Sequence, residues 1–535
     1  MASLLVAAVL GGAALRLWGL RQGLPFTGGR PDEREVVVLT AGFPAGDWNP
    51  RWFVYPNFYF YLIWGWDELV LAGRALWRET PAYSTMLTTA LASLILYGRL
   101  LSALAGTATI ALLFAIGRRV GGTRLAGLAA ILLAGNYLHI RDSHALKPET
   151  LLAAGFLLSI WLLARYVAAP GAGRAALAGL AIGLTTAVKY NGILLLVPVY
   201  LAGVLASSDR GVRRLLPSGH VALCTAVALA VFLALCPYLL LDFGRTLATF
   251  RVATLAVYAA RPGTVPAAGS IASRLHALLA GRAFGYHLTV SLRRGSGLLM
   301  TLALPFALLT AFRAPRDPML VLAAAFSLFY LLVIGASPVH LARYLTPLVP
   351  LIVLLVARWL VLVAERVRAP SGRAVTVVAL AAALLVEPVL RAIAYDRLVG
   401  HTDSRVLATR WMAEHLPRGA VVAILGSLYF PIADPELPPG VTRAPLALGE
   451  TDLDRYGVTH VVTHWHQQLT AFSQPPVGQL TALLPRLQPL AEFSPFTSLP
   501  AGEFEQEDAY YVPFFDFAGV VRPGPVVRIY RYAPP

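Results

Sequence analysis

The chain has 535 residues, of which 57% are hydrophobic and only 13% are charged, and its mean hydropathy is +0.66. Soluble enzymes of this length do not have this composition, so the sequence predicts a polytopic α-helical membrane protein. The formal net charge of +16 suits contact with anionic membrane lipids, and no feature of the sequence indicates a nucleic-acid partner.

Apolar segments of membrane-spanning length recur along the first 394 residues. The first segment lacks the basic leader of a signal peptide, so we expect it to be retained as a helix. The fifth and sixth segments are short and are separated only by Lys189-Tyr190-Asn191-Gly192, so they are either two spans or one broken helix. Counted as two, they give about eleven transmembrane helices, near residues 2–20, 86–117, 124–140, 149–168, 174–189, 191–206, 220–240, 297–312, 319–336, 344–364 and 374–394.

The arginines of the short connections predict the orientation. With a cytoplasmic N-terminus and separate fifth and sixth segments, every short Arg-rich connection lies inside, as the positive-inside rule requires. Merging the two segments would place the last three of these connections outside. We therefore expect a protein of the cell (inner) membrane whose outer connections are 21–83, 139–148, 189–191, 241–295, 337–343 and the tail from 395.

Composition divides the chain into two predicted modules, a transmembrane module over 1–394 and a soluble extracytoplasmic α/β domain over 395–535. In the first module, the aromatic-rich outer loop 21–83 predicts interfacial helices, and a second long outer loop covers 241–295. In the second module, the pattern predicts a helix over 403–415 and strands over 420–425, 459–463 and 526–532.

Two adjacent carboxylates, Asp32 and Glu33, follow a Gly-Gly-Arg-Pro turn just beyond the first apolar segment. A carboxylate at the membrane edge is able to act as a general base on a hydroxyl acceptor. Pro-Asp-Glu is also an ordinary helix start, in which the acids cap the helix. A second candidate carboxylate, Glu149, opens another apolar segment, and the same two interpretations apply to it.

Several cationic and polar side chains lie on the same predicted face of the membrane. Lys189 interrupts an apolar stretch, where it either extends to the headgroups or binds a phosphate. Arg343 precedes Tyr344 at a predicted helix start, where it either anchors the interface or forms bidentate bonds to a phosphate. Four further polar residues are candidates for lining a cavity or binding an acceptor: His144, Lys147, Asp242 and His340. Carboxylates, cations and an apolar groove on one side fit chemistry on a lipid-linked phosphate.

The order and spacing of these motifs resemble the GT-C superfamily of lipid-phosphate-sugar-dependent glycosyltransferases. The similar branches are the protein O-mannosyltransferases and the aminoarabinose transferases that modify lipid A. The residues that carry the resemblance are Pro31-Asp32-Glu33, Gly98-Arg99 with Gly106-Thr107, Ser143-His144, Lys189-Tyr190-Asn191-Gly192, Asp242 and Ala342-Arg343-Tyr344. The sequence departs from the family at Pro148-Glu149, where Asp is frequent, and it lacks the inserted sugar-binding-like domain of the eukaryotic mannosyltransferases.

The resemblance implies a mannosyltransferase-like hexosyl- or pentosyltransferase. Its donor would be a polyprenyl-phosphate sugar, and its acceptor a hydroxyl of a protein, glycan or lipid, with inversion at the transferred carbon. Asp32 would be the base and Glu33 would brace the site, while the donor phosphate would be held by Lys189, Arg343, Tyr344 and Arg99. No cofactor is expected to be required.

Two alternatives stay open at this point. One is a metal-dependent enzyme related to oligosaccharyltransferases, in which a divalent cation would bind carboxylates such as Asp32, Glu33 and Glu149. The other is a lipid-linked sugar carrier that performs no chemistry. Loss of activity in EDTA would favour the first alternative, and full activity of an Asp32→Ala variant would favour the second.

Overall fold

The computed structural model describes residues 2–76, 87–209, 211–259, 282–313, 317–337, 339–425, 434–446, 450–466, 477–498, 504 and 511–533. The chain forms two compact units. The first comprises Met1–Leu17, Val36–Glu79 and Tyr97–Ala392, and the second comprises Trp18–Glu35, Thr80–Leu96 and Ile393–Pro535.

Helices account for nearly all regular structure up to residue 399. The α-helices are Ala2–Leu17, Pro31–Thr40, Asn57–Leu76, Leu87–Ala134, Tyr137–Ser143, Glu149–Ala168, Ala172–Val188, Leu196–Ala206, Gly219–Leu235, Tyr238–Leu241, Phe243–Ala259, Arg282–Tyr286, Arg293–Ser296, Leu298–Arg313, Pro318–Gly335, Val349–Glu365 and Pro370–Val399. Short 3₁₀ turns cover Phe43–Ala45, Tyr190–Leu195, Gly211–Leu215 and Ala342–Leu348, and a π-helix covers His287–Leu292.

Every predicted apolar segment coincides with helix, but the count of eleven spans is not confirmed. Among the described residues, six helices are long and apolar enough to cross a membrane, or up to seven if a pair bent by 114° at Gly297 is one span. The shorter apolar helices Ser3–Leu17, Ala172–Val188 and Tyr190–Ala206 fall below that length. At about 1.5 Å per residue, 17 residues reach only about 26 Å, less than the hydrocarbon thickness of about 30 Å. The chain is an integral membrane protein.

Two predicted breaks between segments are present. The helical range Leu87–Ala134 is interrupted by non-helical backbone at Gly121 and Gly122, where the sequence analysis separated 86–117 from 124–140. The second break is at Lys189, whose backbone is extended after the preceding helix ends at Val188. A Cβ on Gly192 would lie 2.5 Å from the Cα of Thr186, so the chain turns back tightly here and only glycine fits. The fifth and sixth segments are therefore not one straight helix.

The predicted loop 21–83 contains the helices Pro31–Thr40 and Asn57–Leu76. Its aromatic side chains pack on one another: the ring of Trp48 lies 5.4 Å from that of Phe43 and 5.0 Å from that of Trp64. These distances are those of favourable aromatic pairs, which add stability beyond the burial of their area. The aromatic residues thus build a local cluster in the first unit.

The described part of the second unit contains a five-stranded sheet. Its strands, β1 to β5 in chain order, are Val421–Leu425, Thr442–Arg443, His460–Trp465, Leu487–Phe493 and Val526–Tyr532. In the sheet they have the order β2-β1-β3-β5-β4. β1 pairs in parallel with β2 and β3, whereas β5 is antiparallel to β3 and β4. The predicted strands over 420–425, 459–463 and 526–532 are confirmed as β1, β3 and β5, but β2 and β4 were missed.

The predicted helix over 403–415 is present as Ser404–His415. The side chain of Asp403 caps it by accepting a hydrogen bond from the backbone N–H of Arg405. The helix buries Ala408 and Met412 against β1, β3 and β5. The guanidinium of Arg405 lies 4.4 Å from the ring of Phe26, so the segment after the first helix packs within this unit.

The three histidines of β3 and its end have separate partners. His464 lies 2.7 Å from the carboxylate of Asp434, and His460 lies 2.9 Å from the hydroxyl of Thr459. His466 packs among aromatic rings, and burial together with the charge of Arg405 lowers the pKa of His466 to about 3. His466 is therefore neutral at physiological pH.

Candidate functional site

The candidate site is built around Glu149, the first residue of the helix Glu149–Ala168. Its side chain is only 1% exposed. A carboxylate in the first turn of a helix is favoured by the helix dipole, but burying its charge requires cations nearby. Two cations contact the Oε1 atom of Glu149.

Lys189 provides the shorter of the two contacts. Its Nζ donates a hydrogen bond of 2.7 Å to Glu149 Oε1, and the side chain is 14% exposed. The extended backbone at the end of the helix Ala172–Val188 carries this side chain out of the helical register. The ammonium also lies 5.6 Å from the centre of the Tyr344 ring, within the range of a cation–π interaction.

Arg343 provides the second contact from the 3₁₀ turn Ala342–Leu348. Its Nε lies 3.5 Å from Glu149 Oε1, and its side chain is 12% exposed. This separation is an ion-pair contact rather than a hydrogen bond. The guanidinium is therefore held by charge beside Lys189, and it presents a planar donor group able to bind a phosphate at two points.

A third positive charge comes from Lys147, which is buried and acts electrostatically on Glu149. Three cations, Lys147, Lys189 and Arg343, therefore act on the carboxylate of Glu149. The Oε2 atom of Glu149 is buried and has no hydrogen-bond partner among the described residues. Because like charges repel in a poorly hydrated site, this arrangement favours the binding of an anion.

The helix that carries Arg99 packs closely against the segment that precedes Glu149. The hydroxyl of Ser102 donates to the carbonyl of Lys147 at 3.3 Å, and the hydroxyl of Thr150 donates to the carbonyl of Ser102 at 3.1 Å. A side chain on Gly98 would collide with Leu146. Gly98 and Ser102 thus let this helix pack against the segment that holds Lys147, and Arg99, which follows Gly98, is buried.

Comparisons with known proteins bear on this arrangement. Residues 80–238 match the sequence profile of the dolichyl-phosphate-mannose-protein mannosyltransferase family, a segment that includes Glu149 and Lys189. Comparison of the sequence with curated proteins gives no match. Among solved structures, ArnT from Cupriavidus metallidurans bound to undecaprenyl phosphate superposes with a TM-score of 0.55 at 17% identity, over 99% of this chain and 97% of that chain.

Two structures of the Archaeoglobus fulgidus oligosaccharyltransferase are also similar. The complex with Zn and sulfate superposes with a TM-score of 0.52 at 16% identity, over 86% of this chain and 68% of that chain. The complex of AglB with an inhibitory peptide and a dolichol-phosphate gives 0.51 at 14% identity, over 86% and 69%. The chain has the GT-C fold. The resemblance stated from its sequence motifs is confirmed at this level.

In this GT-C fold, a hydrogen bond ties the segment around Asp142 to the turn that carries Arg343. The hydroxyl of Thr346 donates to Asp142 Oδ2, and Arg141 forms an ion pair with the same carboxylate at 3.5 Å. His144 is buried, and its Nδ1 donates 2.8 Å to the carbonyl of Ile140, within its own turn. Asp142 and His144 therefore shape the backbone around the cations.

The other two candidates for cavity or acceptor contacts have different neighbours. Asp242 accepts a hydrogen bond of 2.9 Å from Asn49 and lies 3.6 Å from Arg245. The ring of His340 lies 4.7 Å from that of Tyr286, next to the π-helix. Neither residue contacts the carboxylate of Glu149.

Asp32 and Glu33 belong to the second unit. They lie in the first turn of the helix Pro31–Thr40, as the interpretation of Pro-Asp-Glu as a helix start requires. Glu33 is buried and lies 3.6 Å from Arg30, whose guanidinium also donates to Gln22 at 2.8 Å. Asp32 is half-buried.

Several residues that stabilise this region were given no role from the sequence. Asn191 donates a hydrogen bond of 3.4 Å to the hydroxyl of Tyr330. Arg16 is fully buried and donates to the carbonyls of Leu133 and Ala134 at the end of a long helix. An arginine inside an apolar helix is a usable signal for such a contact, whereas a tyrosine in an apolar helix is not. In the described part of the chain, no three His, Cys, Asp or Glu side chains form a group able to hold a metal.

Proposed function

We propose that the chain is a membrane glycosyltransferase. It transfers a sugar from a polyprenyl-phosphate donor to a hydroxyl group of a protein, glycan or lipid, on the extracytoplasmic face and with inversion of configuration. The observation that carries this proposal is the largely buried group of three cations, Lys147, Lys189 and Arg343, that act on the carboxylate of Glu149.

The chemistry assigned to these residues follows from charge. The acceptor oxygen forms a new bond to the sugar carbon while the bond from that carbon to the phosphate oxygen breaks. The leaving phosphate gains negative charge, and fixed cations in a poorly hydrated site stabilise that charge as it develops. Lys189 and Arg343 perform this role, and Asp32 takes the proton from the acceptor hydroxyl.

The ion pairs of Glu149 favour one of the two roles open to it. A general base must accept a proton, whereas the positive charges of Lys189 and Arg343 beside Oε1 stabilise the ionised carboxylate of Glu149 and disfavour protonation at either oxygen. We assign Glu149 as a positioning residue that fixes the two cations. The GT-C fold supports the lipid-linked donor, because similar structures are bound to undecaprenyl phosphate and dolichol-phosphate.

Removing Lys189 tests the donor-binding role. Lys189→Ala is expected to weaken binding of undecaprenyl phosphate by about 1.5–3 kcal/mol, the range for a hydrogen bond to a charged group. Lys189→Arg should recover part of the loss because it restores the charge. Equilibrium binding of the radiolabelled lipid to the purified protein in detergent measures the change.

A matched control removes a cation outside the candidate site. Arg245→Ala breaks the 3.6 Å ion pair with Asp242 and should leave the affinity for undecaprenyl phosphate unchanged. Equal affinity of Lys189→Ala and the unaltered protein would remove Lys189 from the donor site and leave it only its ion pair with Glu149.

The orientation proposed from the arginines has a direct test. A reporter enzyme that is active only outside the cytoplasm, fused after Pro535, should be active, because the positive-inside rule places the second predicted module outside. The same reporter fused after Arg368, in an Arg-rich turn predicted inside, should be inactive. The reverse pattern would place the candidate site on the cytoplasmic face.

A further inference from the structure

A cavity of about 400 Å³ lies in the first unit, away from Glu149. Its volume falls within the range of about 300–1,000 Å³ that is usual for ligand pockets. Apolar side chains from four helical segments form its walls, among them Leu4, Leu128, Ile131, Val361 and Val377. An apolar cavity of this size is suited to hydrocarbon.

The cavity and the candidate site lie at opposite ends of one span. Arg343 stands at the start of the span Ala342–Glu365, and Val361 and Glu365, which line the cavity, stand at its end. Twenty-four residues at 1.5 Å each separate these ends by about 36 Å, slightly more than the hydrocarbon thickness of a bilayer. The cavity therefore faces the leaflet opposite the proposed donor phosphate.

Positive charge surrounds the mouth of the cavity. Arg124 and Arg373 are among the lining residues, together with one acid, Glu365. Among the described residues, neither Arg124 nor Glu365 forms an ion pair, and Arg373 uses its Nε to donate to the carbonyl of Val367 at 2.7 Å. The turns 117–124 and 365–373, which supply these residues, contain six arginines and a single acid, Glu365, a net charge of +5.

The helix on one side of the cavity continues into an apolar surface. Val375 and Val378 are each 68% exposed; Val378 is itself a lining residue, and Val375 follows the lining residue Ala374. Large apolar side chains exposed at this position in an integral membrane protein contact lipid chains. The cavity is thus continuous with the hydrocarbon region and is bordered by arginines at the headgroup level.

We propose that this cavity binds an anionic phospholipid of the leaflet opposite the donor site. One acyl chain would lie between Leu4, Ile131 and Val377, and the phosphate would lie against Arg124 and Arg373. Basic pockets between transmembrane helices recognise anionic headgroups in this way. The net positive charge favours a headgroup without a cation of its own, so phosphatidylglycerol should bind in preference to phosphatidylcholine. This inference holds whether or not the chain transfers a sugar.

Native mass spectrometry after reconstitution tests the proposal. The full-length protein is placed in nanodiscs of phosphatidylglycerol and phosphatidylcholine in equal amounts, released into detergent, and the retained lipids are counted. The unaltered protein should retain phosphatidylglycerol preferentially. Arg124→Ala/Arg373→Ala should reduce this preference by up to about 25-fold, because each basic residue at a membrane surface contributes about fivefold.

Two further variants separate a specific site from general attraction of charge. Arg213→Ala/Arg214→Ala removes the same charge from a turn that does not line the cavity, and it should leave the preference unchanged. Ala381→Phe fills the cavity without changing charge, and it should lower retention of the phospholipid while the melting temperature shows that the protein is folded. An unchanged preference in Arg124→Ala/Arg373→Ala, or an equal loss in the control, would overturn the proposal.

Discussion

Replacing Glu149 with glutamine is expected to destabilise the protein by about 3–5 kcal/mol, the usual cost of removing one partner of a buried ion pair. The glutamine keeps the shape of the side chain but removes the negative charge that Lys189 contacts at 2.7 Å and Arg343 at 3.5 Å. Both cations are mostly buried, so water screens them only weakly. The melting temperature of the purified protein in detergent measures the loss.

A second substitution distinguishes uncompensated charge from a lost contact. In Lys189→Met, methionine has a volume similar to that of lysine but no charge. The double variant Glu149→Gln/Lys189→Met should therefore be more stable than Glu149→Gln alone. This recovery is a coupling energy, since the two residues share one hydrogen bond of 2.7 Å. The single variant Lys189→Met gives the loss of stability expected without coupling. If adding Lys189→Met to Glu149→Gln lowers the stability by that same amount, the two residues are not coupled and the ion pair does not stabilise the fold.

The same variants separate positioning from catalysis. As a positioning residue, Glu149 acts through Lys189 and Arg343, so Glu149→Gln should weaken donor binding and Glu149→Asp should restore part of it. A base would behave differently: Glu149→Gln would lose transfer while donor binding and the melting temperature stayed normal. That second pattern would return Glu149 to the catalytic role considered from the sequence.

The positions of the helices could be predicted because apolar stretches, and the glycines or charged residues that interrupt them, are local features of the sequence. The break between 117 and 124 coincides with Gly121 and Gly122, and that after 188 coincides with Lys189 and Gly192. The number of spans could not be obtained in this way. Whether a 17-residue apolar helix such as Ala172–Val188 crosses the bilayer depends on its tilt and its neighbours, which its own sequence does not encode.

The members of the candidate site could be named, but their pairing could not. Lys189 and Glu149 are 40 residues apart, and their hydrogen bond depends on how two helices pack. Charge in an apolar context marked both residues, since such groups need partners. A charged residue in an apolar stretch does not by itself distinguish a general base from a residue that orients cations. The two roles differ in which atoms approach each oxygen of the Glu149 carboxylate.

The second unit shows where local patterns fail. β4 contains Pro489 and Glu492 and has mostly part-exposed residues, so it lacks the alternation that predicts a strand. β2 has only two residues. The packing of Phe26 on Arg405 joins positions 379 residues apart, and no periodicity in the sequence reports such a contact. Long-range pairings of this kind are fixed by tertiary structure alone.

The difference in burial between the paired acids favours Asp32 over Glu33 as the base. Glu33 is almost fully buried and held by Arg30, which also contacts Gln22 and the hydroxyl of Tyr395. A carboxylate fixed in such a network is suited to holding the segment in place. Asp32 is half-buried in the first turn of the same helix, so a substrate hydroxyl is able to approach it more readily.

Asp32→Asn is expected to reduce sugar transfer by about 10²–10⁴-fold, the usual contribution of a general base. Asparagine keeps the shape of the side chain, and losing one charge from the first turn of a helix costs only about 0.3–1 kcal/mol, so the protein should stay folded. Donor binding should be normal, because it is assigned to Lys189 and Arg343. Transfer from a radiolabelled polyprenyl-phosphate sugar in detergent gives the rate, with melting temperature and donor affinity measured on the same preparation.

Glu33→Gln is the matched control, since it removes a neighbouring charge that is assigned a bracing role, and it should lower the rate less. Transfer at the normal rate in Asp32→Asn, combined with no transfer in a folded Glu149→Gln, would move the base to the second outer segment. Normal rates in both variants would exclude general-base catalysis by these acids and leave Asp32 with its helix-stabilising role alone.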